Sequence, residues 1–170
     1  DSVASRGLGD VYKRQVLAGT LNNMNATSFL DDGANLPEDV DDQSYRYRVD
    51  FIYTNDSIVA SSDRVKSIRV VCDSVPGDTG LVSINWNAYD GWNNPTYKVS
   101  WSSNNGISWN QQLSTQGLSA TLAKPQVEPG GAPTTYIVKV ETTSPSGAYK
   151  SESNWCSFIT RPEEFLTPSF

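Results

Sequence analysis

The chain has 170 residues, 37% hydrophobic and 11% aromatic, enough apolar material for one packed core and part of a second. Its 19 acidic and 13 basic residues leave a net charge of −6, which gives no electrostatic footprint for a phosphate backbone or an anionic membrane surface and argues against a nucleic-acid partner. The absence of histidine removes Ser-His and Cys-His nucleophile systems and imidazole zinc sites, and no run approaches the ~20 apolar residues that span a bilayer.

At the N-terminus, the run Ser5-Arg6-Gly7-Leu8-Gly9-Asp10-Val11-Tyr12-Lys13-Arg14-Gln15 resembles, codon for codon, the translated transposase adapter used in sequencing libraries. Residues 1–15 are therefore expected to be adapter-derived or unstructured, with natural sequence resuming at Val16 part-way through a gene. Thr27 to Gly33 reads as a short strand ending in an Asp-Gly turn. An acidic loop follows through Pro37 to Asp42, and the carboxylates of Asp31, Asp32, Glu38, Asp39, Asp41 and Asp42 cluster along this stretch. Hard cations take several oxygens, but the spacing fits no EF-hand, so the plainer reading is a solvated loop with no metal and no cofactor.

Ser44 to Tyr53 alternates as a strand, turns at Thr54-Asn55-Asp56-Ser57 and meets a partner strand from Ile58 to Val65. Lys66 to Cys72 runs into the next domain without a flexible linker. Val82, Ile84 and Trp86 alternate with Ser83 and Asn85, and Tyr97, Val99 and Trp101 alternate in the same way, one face buried and the other wet. Further strands are expected near 108–113, 118–123, 135–142 and 149–159. Seven short strands, with polar turns roughly every ten residues and no helical period, argue for an antiparallel β-sandwich. Two tyrosine-led segments, Tyr47-Arg48-Val49-Asp50-Phe51 and Tyr136-Ile137-Val138-Lys139-Val140, recur a domain's length apart, so the chain reads as pieces of two similar sandwiches.

Trp86, Tyr97-x-Val99, Leu122, Tyr136-x-Val138-x-Val140 and a Ser-rich last strand together resemble the fibronectin type III domain, an immunoglobulin-like all-β sandwich. The resemblance covers one complete copy over 66–160, preceded by the last three strands of another over 16–65, with 161–170 a linker to a further domain. It is similar to tandem copies in large secreted surface proteins of Bacteroidota, where a gliding-motility-associated C-terminal sorting domain often follows; Phe165-Leu166-Thr167-Pro168-Ser169-Phe170 looks like the lead-in to one. The family often has a Cys just before the sixth strand. None stands there in this chain, so the usual disulfide pattern does not carry over.

The resemblance implies a non-catalytic spacer or interaction module, extracellular or on the outer cell surface and related to adhesion or gliding motility. Its partners would be neighbouring domains and an unknown protein or glycan, with no nucleic acid and no membrane insertion. The alternative is a carbohydrate-binding accessory module of a secreted glycoside hydrolase, since flat aromatic faces stack on sugar rings. By strand parity Trp86 and Trp101 are core and Trp155 is ambiguous, whereas Trp92, beside Asn93 and Asn94, and Trp109 are candidate ligand contacts; the plainer reading is a Trp lidding the sandwich end. Ser102-x-Asn104-x-Gly106-x-x-Trp109 resembles the Asp-box of sialidase-type propellers with Asn in place of Asp, and reads as a structural hairpin. Asp56-Ser57-Ile58 and Asp73-Ser74-Val75 fit the Asp-Ser/Thr-apolar pattern that resembles the Bacteroidota O-glycosylation site, at Ser57 and Ser74. Cys72 and Cys156 fall late on the first and last strands of the complete copy. They are either a disulfide or two separate buried thiols, depending on strand parity and Cα separation.

Overall fold

The structure, a computed structural model, describes residues 2–7, 15–21, 43–53, 57–74 and 80–162, and every regular element among them is a β-strand. The chain folds as two compact units, Asp1–Arg69 with Ala88–Asn93, and Val70–Asn87 with Asn94–Phe170. The acidic cluster between Asp31 and Asp42 and the expected strand at 27–33 lie outside the described residues.

Among the described residues the first unit is one antiparallel sheet. Its strands are β1 (Ser2–Gly7), β2 (Gln15–Leu21), β3 (Arg46–Ile52), β4 (Ile58–Ser61) and β5 (Val65–Lys66), in the order β2-β1-β3-β4 with β5 also on β3. The expected strand from Ile58 to Val65 is interrupted. Ser62 turns its hydroxyl to accept the Val49 N–H at 2.9 Å while its own N–H reaches the Val49 carbonyl at 2.8 Å, so the chain leaves the ladder without stranding Val49. Asp50 is buried on β3 and accepts from the Ser61 hydroxyl at 2.6 Å and from Arg48 at 2.8 Å.

Residues 1–15, which the sequence sets apart from the fold, contribute β1 and the first residue of β2. β1 lies between β2 and β3, paired from Ser2↔Phe51 to Gly7↔Arg46. Ladder bonds join main chains and are indifferent to side-chain selection, so a run resembling translated adapter can still occupy a sheet.

The second unit is a two-layer sandwich built from β6 (Val70–Ser74), β7 (Leu81–Trp86), β8 (Tyr97–Ser102), β9 (Asn110–Thr115), β10 (Ser119–Ala123), β11 (Thr134–Thr143), β12 (Lys150–Glu152) and β13 (Cys156–Thr160). One sheet runs β10-β7-β6. The other runs β12-β11-β8-β9, with β13 following β12 along the same edge of β11. All pairs are antiparallel. This is the fibronectin type III-like, immunoglobulin-like arrangement, in which consecutive hairpin strands are shared between two facing sheets.

Period-2 alternation fills the space between the layers. Val82, Ile84 and Trp86 face Val99, Val138 and Val140, and each is 5% exposed or less. Trp86 packs edge-on to Tyr97 at 5.6 Å, and Trp101 edge-on to Tyr136 at 4.8 Å, with Tyr136 stacked on Phe158. Both tryptophans keep the inward parity of their strands, although Trp101 remains half-buried.

The last strand departs from the expected uninterrupted run. Glu141 pairs with Glu152, but Val138 pairs with Cys156, so the register slips by one residue across 153–155, as a β-bulge does. An unslipped strand would turn Trp155 inward opposite Val138 and Cys156 outward. The bulge reverses both. Ser153 maintains the ladder, accepting the Val140 N–H on its hydroxyl and donating its own N–H to the Val140 carbonyl, both at 2.9 Å.

Candidate functional site

Two features of the second unit originate at this bulge. The first is the disulfide. With Cys156 turned inward, its Cα stands 5.5 Å from that of Cys72, and the two are bonded. Cys72 belongs to β6 of one sheet and Cys156 to β13 of the other, so the bond staples the layers where β6 and β13 approach without a ladder between them. Asn154 reinforces the seam as a side-chain substitute for strand pairing. Its carboxamide oxygen accepts the Val70 N–H at 2.8 Å and its Nδ2 donates to the Val70 carbonyl at 3.3 Å.

The second feature is an aromatic platform on the outer face of the β11-containing sheet. Trp155, turned outward and 46% exposed, meets the half-buried Trp109 edge to face at 5.5 Å. The β8–β9 loop sets Trp109 there. The fully buried Ser102 hydroxyl accepts the Asn104 and Gly106 N–H groups and donates to the Asn104 carboxamide oxygen, which also accepts the Ser108 N–H. Gly106 adopts φ 82°, and a Cβ there would lie 2.9 Å from the Trp155 ring. Only glycine lets the loop both reverse and lie against the indole.

Lys139 sits beneath the platform. It points outward on β11 yet is only 7% exposed, because its ammonium lies 4.5 Å from the Trp109 ring centroid. It bonds Glu152 at 2.9 Å and lies 3.4 Å from Glu141, while Lys150 reaches the same carboxylates at 3.0 and 3.7 Å. Cross-strand pairing puts Glu141 opposite Glu152, an arrangement that repels unless cations flank it. Burial alone would raise the Glu152 pKa, but the bonds from Lys139 and Lys150 outweigh it and hold the carboxyl below its ordinary value; the bond to Glu152 in turn raises Lys150. A carboxyl held low is poorly placed to donate a proton, the opposite of what a general acid needs.

The sequence-derived candidates divide. Trp109 lies in the platform. Trp92 is half-buried rather than open: it packs edge-on to Tyr89 at 4.5 Å within its own loop, and its indole N–H is buried without a hydrogen-bond partner. Ser57 is exposed, and its carbonyl accepts the Tyr53 N–H at 3.0 Å. Ser74 ends β6. From the sequence Trp155 stays ambiguous and Lys139 and Asn154 go unnoticed: Trp155 and Asn154 depend on where the extra residue of the bulge falls, and Lys139 on the β8–β9 loop that folds Trp109 over it.

Among the described residues no group of three His, Cys, Asp or Glu side chains can hold a metal ion. A depression of about 380 Å³ between the β8–β9 loop and the start of β11, lined by Asn104, Asn105, Pro133, Thr135 and Ile137 among others, contains no titratable side chain.

No family profile and no curated protein matches the chain. Among solved structures it is similar to pectate lyase Pel3 from Pectobacterium carotovorum, at 15% identity and a TM-score of 0.42, covering 61% of this chain and 29% of that one. It is also similar to the chicken CNTN1 FN1–FN3 domains, at 15% identity and TM-score 0.38, over 94% of this chain and 53% of that one. A cytokine receptor complex matches at 11% identity and TM-score 0.36, over 94% and 84%. The chain thus spans less than a third of the pectate lyase and about half of the CNTN1 fragment.

Proposed function

We propose that this chain is a non-catalytic spacer or interaction module of an extracellular, cell-surface multidomain protein, with a role in adhesion or gliding motility. The observation that carries this reading is the Cys72–Cys156 disulfide, since such bonds persist where the surroundings are oxidising. A sandwich stapled between its first and last strands suits a part that must hold its shape while neighbouring domains do the work. Antibody raised against the chain is expected to label intact source cells as strongly as permeabilised ones; labelling only after permeabilisation contradicts the surface assignment.

A second reading, a carbohydrate-binding accessory module, is favoured by one observation, the exposed Trp155 set against Trp109. An indole with polar and charged neighbours offers a sugar ring both a flat face and hydrogen bonds, and the flanking Lys and Glu pairs sum to no net charge, which suits a neutral glycan. Binding on a glycan array that Trp155→Ala abolishes would establish it, and a blank array returns the platform to a structural role.

A further inference from the structure

We infer that the Cys72–Cys156 bond makes the second unit a load bypass: tension carried along the chain crosses from β6 to β13 through the disulfide and leaves the core between them unloaded. The inference deepens the spacer reading and takes its biological meaning from it. Chain connectivity and topology carry the argument. Among the described residues β6 is the first strand of the unit and β13 the last, so a pull along the backbone enters near Val70 and leaves near Thr160. It meets Cys72 two residues after Val70 and Cys156 four residues before Thr160.

Between those cysteines lie β7 to β11, β12 and nearly all of the core, including Val82, Ile84, Trp86, Val99, Val138 and Val140. The cysteine Cα atoms are 5.5 Å apart and covalently fixed. A force applied at them moves them hardly at all and so does almost no work on the loop they close. Only Val70, Val71 and the residues from Ser157 onward can peel. The Asn154 bonds to Val70 stand at that point and resist the first step of peeling on the entry side. Neighbouring sandwiches without such a bond would lengthen by whole domains under the same tension, whereas this unit keeps both its length and its platform.

The test is single-molecule stretching of the full chain through handles at its two ends. In the oxidised protein the fully stretched length should fall short of that in dithiothreitol by the closed loop, 84 residues or ~290 Å at ~3.3–3.6 Å per residue. Dithiothreitol supplies the two electrons and two protons that convert the bond to two thiols, and itself closes to a cyclic disulfide. Equal lengths with and without reductant overturn the inference. Val99→Ala provides a second readout: it should lower the unfolding force of the reduced protein and leave the oxidised trace unchanged. An oxidised-state step that moves with Val99→Ala would mean that load reaches the core, and would also overturn it. If the reduced chain does not hold a fold, the length comparison still decides. Surface labelling of cells tests the spacer reading separately, so either can fail alone.

Discussion

Asp50 shows how one carboxylate can be set by its neighbours. The Ser61 hydroxyl bond lowers its pKa most, burial works against this, and Arg48 lowers it further, with a net shift below the ordinary 3.8. A depressed folded-state pKa contributes stability that is present above the unfolded value and lost as pH falls through the folded one. The first unit should therefore weaken as pH drops below about 4, and Asp50→Asn should flatten that part of the curve; an acid limb unchanged by the substitution counts against the assignment. At Gly106, a side chain would meet both φ 82° and the Trp155 ring at 2.9 Å. Gly106→Ala should cost about 1–3 kcal/mol and change the tryptophan emission, and a neutral result would mean that the loop does not press on the Trp155 indole. The Lys139–Glu152 and Lys150–Glu152 contacts add a broad pH window. The lowered Glu152 loses its contribution as pH falls below its ordinary 4.5, and the raised Lys150 loses its own only as pH climbs past 10.5.

The element that decides most is the bulged edge made by β12, 153–155 and β13. Asn154→Ala would strip both bonds from Val70 and leave a main-chain donor unmatched beside the seam, so it should destabilise the second unit by about 1–3 kcal/mol. Asn154→Asp, which keeps the acceptor but sets an oxygen against the Val70 carbonyl, should do no better; urea midpoints of the two variants read this directly. The strands of both sheets are legible in the sequence because Val82, Ile84 and Trp86 alternate with Ser83 and Asn85, and Tyr136, Val138 and Val140 keep the same period with Lys139 set between the last two. The bulge is not, since Tyr149 to Ile159 contains no Gly or Pro to mark an extra residue, and a one-residue slip exchanges the faces of everything after it. That is why the sequence leaves Trp155 unassigned and the cysteine pair open. Trp92 reads as a candidate contact from its polar turn neighbours, but Tyr89, three residues earlier, folds back against it. On β3, the pairing from Ser2↔Phe51 to Gly7↔Arg46 predicts that removing residues 1–7 speeds hydrogen exchange along that strand; unaltered exchange would fit an N-terminal run that never joins the sheet.

At the scale of the whole molecule, the second unit is a sandwich whose sheets are tied by a covalent bond between β6 and β13. Stability then has two sources: a core built by alternation around Val99, Val138 and Val140, each 0% exposed, and a constraint on the unfolded chain from closing 84 residues. The second source is separable by chemistry. Urea unfolding followed by tryptophan fluorescence, with and without a reductant, measures it most directly. The oxidised second unit should be more stable by about 4–5 kcal/mol on the chain-entropy account, with no thiol alkylated in urea before reduction. Coincident transitions in the two conditions, together with two alkylatable thiols in the unreduced protein, would contradict it.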